Sequence, residues 1–166
     1  MKDSTRVLNI ASGPAREVVE FLSNKGSSMF FECVDYDKNA IEYSSKRAEN
    51  VSRHVQFHLA NAFRFNSENT FDLVWSAGLF DYLDDRTFKV LLKKLLRFIN
   101  ADGELVLGNF SQNNSTRDYM EFANWHLNHR TIEELMRLAK ESGVPEENVS
   151  VKSEPLGVNL FLHIRK

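Results

Sequence analysis

The sequence has little glycine, a single cysteine and no long apolar run among its 166 residues. Because Cys33 has no second cysteine to pair with, a disulfide framework and an all-cysteine metal site are excluded. No apolar stretch reaches the ~18 residues of a membrane-spanning helix, and residues 1–6 lack the apolar core of a signal peptide. These absences lead us to expect a cytoplasmic protein.

Strong charge of either sign is also missing, since 21 basic and 23 acidic side chains give a formal net charge of −2. Proteins that neutralise many phosphates are usually strongly basic, so the balance argues against a nucleic-acid partner. The hydrophobic content is 42%, with thirteen phenylalanines, which is enough for a sizeable core. We expect residues 1–166 to form a single domain, and no feature indicates an oligomeric state.

Short apolar runs alternate with amphipathic patterns along the chain. Strands are predicted at residues 7–10, 29–34, 55–59, 71–76, 104–110, 149–152 and 159–164. Helices are predicted after Pro14, after Asp37 as N-cap, at 86–99, at 117–127, and from a capping box at Thr131; residues 101–103 are predicted to turn. This alternation predicts an α/β fold with a Rossmann-like, doubly wound, seven-stranded, mostly parallel sheet and a closing antiparallel strand pair.

The ligands of such sheets bind beyond the carboxyl ends of the strands, so the residues that follow each strand are the candidates. Small residues after the first strand let a ligand approach the backbone at the start of the next helix. Asp35 follows the second strand, 22 residues past Gly13, and can accept hydrogen bonds from both ribose hydroxyls. Asn61, after the third strand, can read the polar edge of an adenine.

In this order, four blocks resemble the class I S-adenosylmethionine-dependent methyltransferases: residues 7–15, 34–41, 61–63 and 71–76. Residues 96–107 are similar to that family's segment before the fifth strand, so the resemblance covers nearly the whole chain. It implies S-adenosylmethionine as cofactor, with Asp35 holding the ribose and Tyr36 against the adenine ring. The other cofactor-binding residues that it implies are Asn9, Ala11, Ser12 and Gly13 for the methionine part, Asn61, Ala62 and Phe63 at the adenine edge, and Ser76 and Ala77 at the methyl end.

The first loop departs from the family's acidic-x-G-x-G-x-G pattern. Asn9 stands at the acidic position and cannot offer a carboxylate to an ammonium, and Ala11 and Ala15 replace two glycines. Alanine permits fairly close approach of a ligand where φ is negative, so we expect the fold to persist. The departures bear on how tightly the cofactor binds.

Methyl transfer is an in-line displacement, so the protein mainly aligns the reacting atoms and excludes water. Residues 76–83 and 124–131 also resemble, more narrowly, bacterial enzymes that methylate the carboxyl of a 3-hydroxy fatty acid. The candidate groups near the methyl end are Asp81, Tyr82, Tyr119, Trp125, His126, His129 and Arg130. Our predicted catalytic set is Asp81, Tyr119, His126 and Arg130, with Arg130 as the partner of an acceptor carboxylate. A hydroxyl acceptor would instead need His126 or His129 as base.

Simpler roles stand beside these. Asp81 can be an acidic helix start, and His126 with His129 could bind a metal, but no third ligand is evident and we predict no metal. The first strand begins near Arg6, which leaves no room for a preceding helix or small domain as a lid. We expect either that residues 111–116 and the following helix supply the lid, or that the chain is an excised core.

Two other functions compete with methyl transfer to a small-molecule or fatty-acid carboxylate. A nicotinamide-dependent oxidoreductase would carry G-x-G-x-x-G after the first strand, and this sequence does not. A non-catalytic methyltransferase-fold domain that binds or regulates a partner is favoured by Asn9 and by the missing glycines.

Overall fold

A computed structural model describes residues 5–25 and 28–166. The strands are β1 Arg6–Ile10, β2 Phe30–Asp35, β3 Val55–Leu59, β4 Phe71–Ser76, β5 Ile99–Phe110, β6 Val149–Ser153 and β7 Asn159–Arg165. The α-helices are α1 Arg16–Lys25, α2 Lys38–Arg47, α3 Asp85–Leu95, α4 Arg117–Phe122 and α5 Ile132–Glu141. Short 3₁₀ helices occupy Glu49–His54, Phe80–Tyr82, Leu96–Phe98 and Glu146–Asn148. No helix in these described ranges has the length and apolar character needed to cross a membrane.

The seven strands form one sheet in the order β3-β2-β1-β4-β5-β7-β6. Strands β1 to β5 run parallel to one another, and β7 runs antiparallel to both β5 and β6. The predicted fold class, including the antiparallel final pair, is confirmed. The chain proceeds outward from β1 to β3 and then returns to the other side of β1 with β4, which creates the crevice at the carboxyl ends of β1 and β4.

Helices cover the sheet on both faces, and each buries the stripe that its sequence predicts. On one face, α3 packs Phe88, Leu91, Leu92 and Leu95 against the alternate residues of the strands. On the other face, the apolar side of α1 packs over β2 and β3 in a smaller cluster. Asp37 caps α2 by accepting from the Asn39 N–H, and the capping box at Thr131 opens α5, both as predicted.

Most predicted boundaries lie within two residues of the observed ones, and three differ by more. The helix predicted at 86–99 ends at Leu95, because Ile99 pairs with Phe71 and so begins β5. The predicted turn at 101–103 therefore lies within β5, where Asp102 has a φ of +65° and the register against β4 shifts. The helix predicted at 117–127 ends at Phe122, shortly before Asn124 at a φ of +58°.

Candidate functional site

A cleft of about 510 Å³ lies at the carboxyl ends of the parallel strands, within the size range of small-molecule sites. Seven predicted cofactor residues line it: Ala11, Gly13, Asp35, Tyr36, Asn61, Ala62 and Phe63. Five further residues complete the lining: Val34, Ala60, Gly78, Leu79 and Tyr82. Four predicted cofactor residues are not part of the lining: Asn9, Ser12, Ser76 and Ala77. The structure thus brings together the ribose and adenine residues more completely than those of the methyl end.

The loop from β1 to α1 turns through three left-handed residues at alternate positions. Ala11, Gly13 and Ala15 have φ values of +55°, +52° and +42°. The condition of negative φ, under which alanine permits close approach of a ligand, is therefore not met at either alanine. A left-handed conformation brings the Cβ of an L-residue close to the following carbonyl oxygen, so both alanines carry strain. The loop keeps the backbone path that favours glycine while its sequence supplies alanine.

Asp35 ties this loop to the end of β2. Its side chain is buried, and its two carboxylate oxygens accept from the Gly13 N–H at 2.7 Å and the Asp37 N–H at 2.9 Å. Each carboxylate oxygen can accept a second hydrogen bond, so both remain able to bind a ribose hydroxyl. The ribose role that we predict for Asp35 is consistent with this position.

The loop after β3 contributes Ala60, Asn61, Ala62 and Phe63 to the lining of the cleft. The Asn61 Oδ1 accepts from the Phe63 N–H at 2.9 Å, which folds the loop onto its own side chain. Lys94 of α3 donates to the Phe63 carbonyl at 2.8 Å, and burial lowers the pKa of its ammonium. The Tyr36 ring is 78% exposed at the cleft edge. Tyr36 can therefore offer its ring face to a planar ligand in a cleft whose β3 loop is held by Lys94.

Asn9 faces away from the cleft. Its buried amide donates to Glu17 Oε1 of α1 at 3.3 Å, and both residues line a separate, largely apolar groove of about 330 Å³. A carboxylate therefore stands beside position 9 although the residue there is neutral. At the end of β4, the buried Ser76 Oγ has no hydrogen-bond partner among the described residues.

Asp81 lies almost fully buried behind the cleft. Its carboxylate accepts from the Phe110 N–H of β5. Burial raises the pKa of the Asp81 carboxyl, although the Phe110 N–H and the positive charge of Arg130 act in the opposite direction. This carboxylate joins the turn after β4 to the end of β5.

Arg130 is buried against the same turn, and each of its two terminal nitrogens donates to two oxygens. Its Nη1 donates to the Phe80 carbonyl at 3.1 Å and to Asn109 Oδ1 at 2.8 Å. Its Nη2 donates to the Leu83 carbonyl at 2.6 Å and to Asp85 Oδ1 at 3.3 Å. The guanidinium also lies 4.9 Å from the centre of the Phe88 ring. Both terminal nitrogens thus donate to protein oxygens, which favours a structural role for Arg130 over the predicted role as partner of an acceptor carboxylate.

The remaining candidate groups lie on the segment around α4. Tyr119 is 75% exposed and His126 is exposed, and neither lines the cleft. His129 contacts the buried Asn114, whose Nδ2 lies 3.1 Å from His129 Nε2. Tyr82 is the candidate that lines the cleft, and its hydroxyl accepts from Trp125 Nε1 at 2.9 Å. The sequence alone does not indicate which of two neighbours, Asp81 or Tyr82, faces a ligand. Tyr82 was therefore a candidate without a predicted role.

Within residues 5–25 and 28–166, no group of three histidine, cysteine, aspartate or glutamate side chains is placed to hold a metal ion.

Comparisons with known proteins agree with this geometry. A family model described as a methyltransferase domain matches residues 7–103. The malonyl-[acyl-carrier protein] O-methyltransferase of Bacillus anthracis is 28% identical over 109 residues, which cover 66% of this chain and 39% of that relative.

Among solved structures, the S-adenosylmethionine-dependent methyltransferase SibL matches with a TM-score of 0.78 at 17% identity, over 98% of this chain and 50% of that one. The 1,6-didemethyltoxoflavin-N1-methyltransferase of Burkholderia thailandensis, solved with S-adenosylhomocysteine, matches with a TM-score of 0.75 at 17% identity, over 98% and 71% of the two chains. The chain thus spans about two fifths of the curated relative and half of the SibL structure.

Proposed function

The chain belongs to the methyltransferase domain family, within the class I S-adenosylmethionine-dependent superfamily, and we propose that it methylates a carboxylate oxygen of a small-molecule acceptor. The observation that carries the proposal is the cleft in which Asp35 joins the β1–α1 loop to the end of β2. This crevice at the topological switch point is where such sheets bind nucleotides.

The cleft fits S-adenosylmethionine in size and in the kinds of group that it offers. We assign the ribose to Asp35, the adenine edge to Asn61 and the adenine face to Tyr36, all of which line the cleft. Apart from the residues next to Gly13 in the chain, no atom of the described residues lies within 4 Å of the position that a Cβ on Gly13 would take, so the loop has room for a ligand close to its backbone. When bound, the cofactor supplies a methyl group already activated by the sulfonium charge.

The residues of this chain then have two tasks, which are to align an acceptor oxygen and to keep water out. A carboxylate suits such a site because it is ionised at neutral pH and needs no general base. Leu79 and Phe63 give the cleft apolar walls that favour an acceptor with a hydrocarbon part. The B. anthracis relative is named for O-methylation of a malonyl thioester, whose free oxygen nucleophile is a carboxylate.

Asp81 and Arg130 serve this proposal by position rather than by contact with the acceptor. The Asp81 carboxylate ties residues 80–83 to the Phe110 N–H, and the Arg130 guanidinium donates to the carbonyls of Phe80 and Leu83. That Tyr119 and His126 contact the acceptor stays a prediction, and both are exposed on the segment around α4.

A second candidate is a domain of the same fold that binds a ligand or partner without catalysis. The left-handed Ala11 and Ala15 favour it, because strain in the loop lowers the population of the conformation that meets the ligand.

Calorimetric titration with S-adenosylmethionine and S-adenosylhomocysteine tests the cofactor assignment. We expect saturable binding of both, and an absence of binding at millimolar concentration would contradict the proposal. Methyl transfer to 3-hydroxydecanoate, with 1-decanol as the uncharged control, then tests the acceptor class. Cofactor binding without transfer to any carboxylate would favour the non-catalytic domain.

A further inference from the structure

We propose that the Tyr82 hydroxyl recognises the acceptor carboxylate and that Trp125 is the positioning residue that directs the Tyr82 proton toward it. The inference rests on the proposed function and adds the group that selects the acceptor. Tyr82 lines the cleft and is 56% exposed, so its side chain is accessible to a ligand there.

The direction of the hydrogen bond between the two side chains follows from their chemistry. Trp125 Nε1 lies 2.9 Å from the Tyr82 hydroxyl oxygen. An indole N–H only donates, so the Tyr82 oxygen must be the acceptor. The Tyr82 proton is therefore not used in this contact and remains available to an acceptor oxygen in the cleft.

Further contacts join the segments that carry the two side chains. Asn128 donates from its backbone N–H to the Asp81 carbonyl at 2.7 Å and from its side chain to the Leu83 carbonyl at 3.2 Å. The Trp125 ring packs edge-on against Phe110, with ring centres 6.5 Å apart. These bonds join the residues that flank Tyr82 to the segment that carries Trp125. A donor fixed before the ligand arrives binds it at a lower entropic cost.

No cationic side chain of the described cleft lining competes with this donor for an anion, and the carboxylate of the lining, Asp35, is already paired with two backbone N–H groups. Among the described residues that line the cleft there is no lysine, arginine or histidine. Arg130, the nearby buried cation, has both terminal nitrogens committed to other oxygens. Gly78 and Leu79, which precede Tyr82, offer no side-chain donor. A carboxylate in the cleft therefore meets the Tyr82 O–H as its side-chain donor near the turn after β4.

The reaction leaves the Tyr82 proton in place. One carboxylate oxygen uses a lone pair to form the new O–C bond while the C–S bond breaks and its electron pair stays on sulfur. The other oxygen accepts from Tyr82 throughout, so no proton is transferred. Because the acceptor loses its negative charge as the ester forms, this hydrogen bond is strongest before the reaction. Tyr82 should therefore act on KM more than on kcat.

The chain has two tryptophans, so its indole N–H groups give two separate signals in a ¹H–¹⁵N spectrum, and Trp125→Phe identifies one by removing it. Titration with 3-hydroxydecanoate, in the presence of S-adenosylhomocysteine, should shift the Trp125 signal saturably. Tyr82→Phe should move that signal upfield in the free protein and weaken the affinity roughly 10- to 100-fold, the cost of losing a hydrogen bond to a charged group. Tyr43→Phe, on α2 away from the cleft, is the matched control and should change neither result.

The inference is overturned if wild type shows no shift, or if Tyr82→Phe binds 3-hydroxydecanoate as tightly as wild type. Binding of S-adenosylhomocysteine is measured separately, and its loss counts against the proposed function instead. For Trp125, the test is a double-mutant cycle. Trp125→Phe should raise KM for the acceptor, and the double variant with Tyr82→Phe should raise it no further than Tyr82→Phe alone. Additive effects would mean that Trp125 acts only on the fold.

Discussion

The Asp35 carboxylate accepts the Gly13 N–H at 2.7 Å, so an acidic side chain at the end of β2 fixes the backbone of the loop that follows β1. Ribose binding and loop geometry thereby depend on the same group. A ligand hydroxyl that binds Asp35 meets a carboxylate already oriented by two backbone donors. The geometry of the loop and the affinity of the cleft should consequently respond together to changes at Asp35.

Asp35→Ala should abolish detectable binding of S-adenosylhomocysteine and also destabilise the fold. The substitution leaves two N–H groups without their acceptor, at a cost of about 1–3 kcal/mol for each one that stays buried. Calorimetry measures the affinity and urea unfolding the stability. Asp37→Ala is the matched control, since it removes the α2 N-cap at a cost of about 1 kcal/mol and should leave the affinity unchanged. Unaltered affinity in Asp35→Ala would refute the ribose assignment.

Ala11→Gly should stabilise the protein, whereas Ala15→Gly should not do so measurably, because it also removes a fully buried methyl group worth about 0.8 kcal/mol. A left-handed alanine destabilises the folded state by about 1–2 kcal/mol, which glycine avoids. Glycine also has more freedom in the unfolded chain, and this reduces the stabilisation by about 0.4–1 kcal/mol. For Ala11→Gly we expect a net increase of about 0.5–1 kcal/mol in the free energy of unfolding, measured in urea, and for Ala15→Gly a change of about zero, because the buried methyl group is lost. Ala139→Gly, in the interior of α5, should instead lose about 1 kcal/mol. Destabilisation by all three changes would contradict the positive φ values.

Arg130→Met should destabilise the fold far more than Arg137→Met, although both arginines bind Asp85. Arg130 is buried, and its loss leaves the carbonyl oxygens of Phe80 and Leu83 without their donor, which we expect to cost about 3–5 kcal/mol. Arg137 is exposed, and a surface ion pair contributes about 0–1 kcal/mol. Thermal and urea unfolding of the two variants measure the difference. Equal losses would show that the Asp85 pair, rather than the buried carbonyls, gives Arg130 its role.

Asp81→Asn should change how stability depends on pH. Burial raises the pKa of Asp81, so the folded state binds a proton more readily than the unfolded state. Between the ordinary aspartate pKa of about 4 and the raised value, this group makes wild type less stable as the pH increases. The asparagine can still accept from the Phe110 N–H but does not titrate. The free energy of unfolding of the variant minus that of wild type should therefore increase from about pH 4 upward and then level off. Urea unfolding at a series of pH values measures this difference. A constant difference would argue against the raised pKa.

Cys33 should react with thiol reagents only when the protein unfolds. Its side chain is fully buried, and burial, with a contribution from the charge of Glu17, raises the pKa of its thiol to about 12. Thiol reagents attack the thiolate, whose fraction at neutral pH is then roughly a thousandfold lower than for a free cysteine. The labelling rate in increasing urea should follow the unfolded fraction. Fast labelling without urea would show local opening between α1 and β2.

The fold was predictable because its signals are local and redundant. β3 and β4 match their predicted ranges, since each is a short apolar run between polar breaks. The start of β5 was not predictable in the same way. Ala101, Asp102 and Gly103 have turn composition, and they are held in a strand by the pairing of Ile99 with Phe71, which is a contact between distant residues.

The candidate site was predictable at the ends of β2 and β3, where Asp35 is the last residue of β2 and Asn61 stands two residues after β3. It was less so after β4, where the chain turns through residues 80–83 before α3. A turn of 3₁₀ geometry places adjacent side chains in different surroundings, so Asp81 is buried while Tyr82 faces the cleft. The left-handed alanines escaped prediction because residue type alone does not determine φ.

The position of β7 has a consequence for the order in which the molecule is assembled. This strand follows β6 in the chain but lies between β5 and β6 in the sheet. On the ribosome, β6 has no partner and β5 presents an open edge until residues 159–165 have been synthesised. An open parallel edge of this kind is prone to pair with other chains. Folding intermediates that lack β7 should therefore be the species that chaperones retain, and truncation before residue 159 should yield aggregates rather than a smaller soluble core.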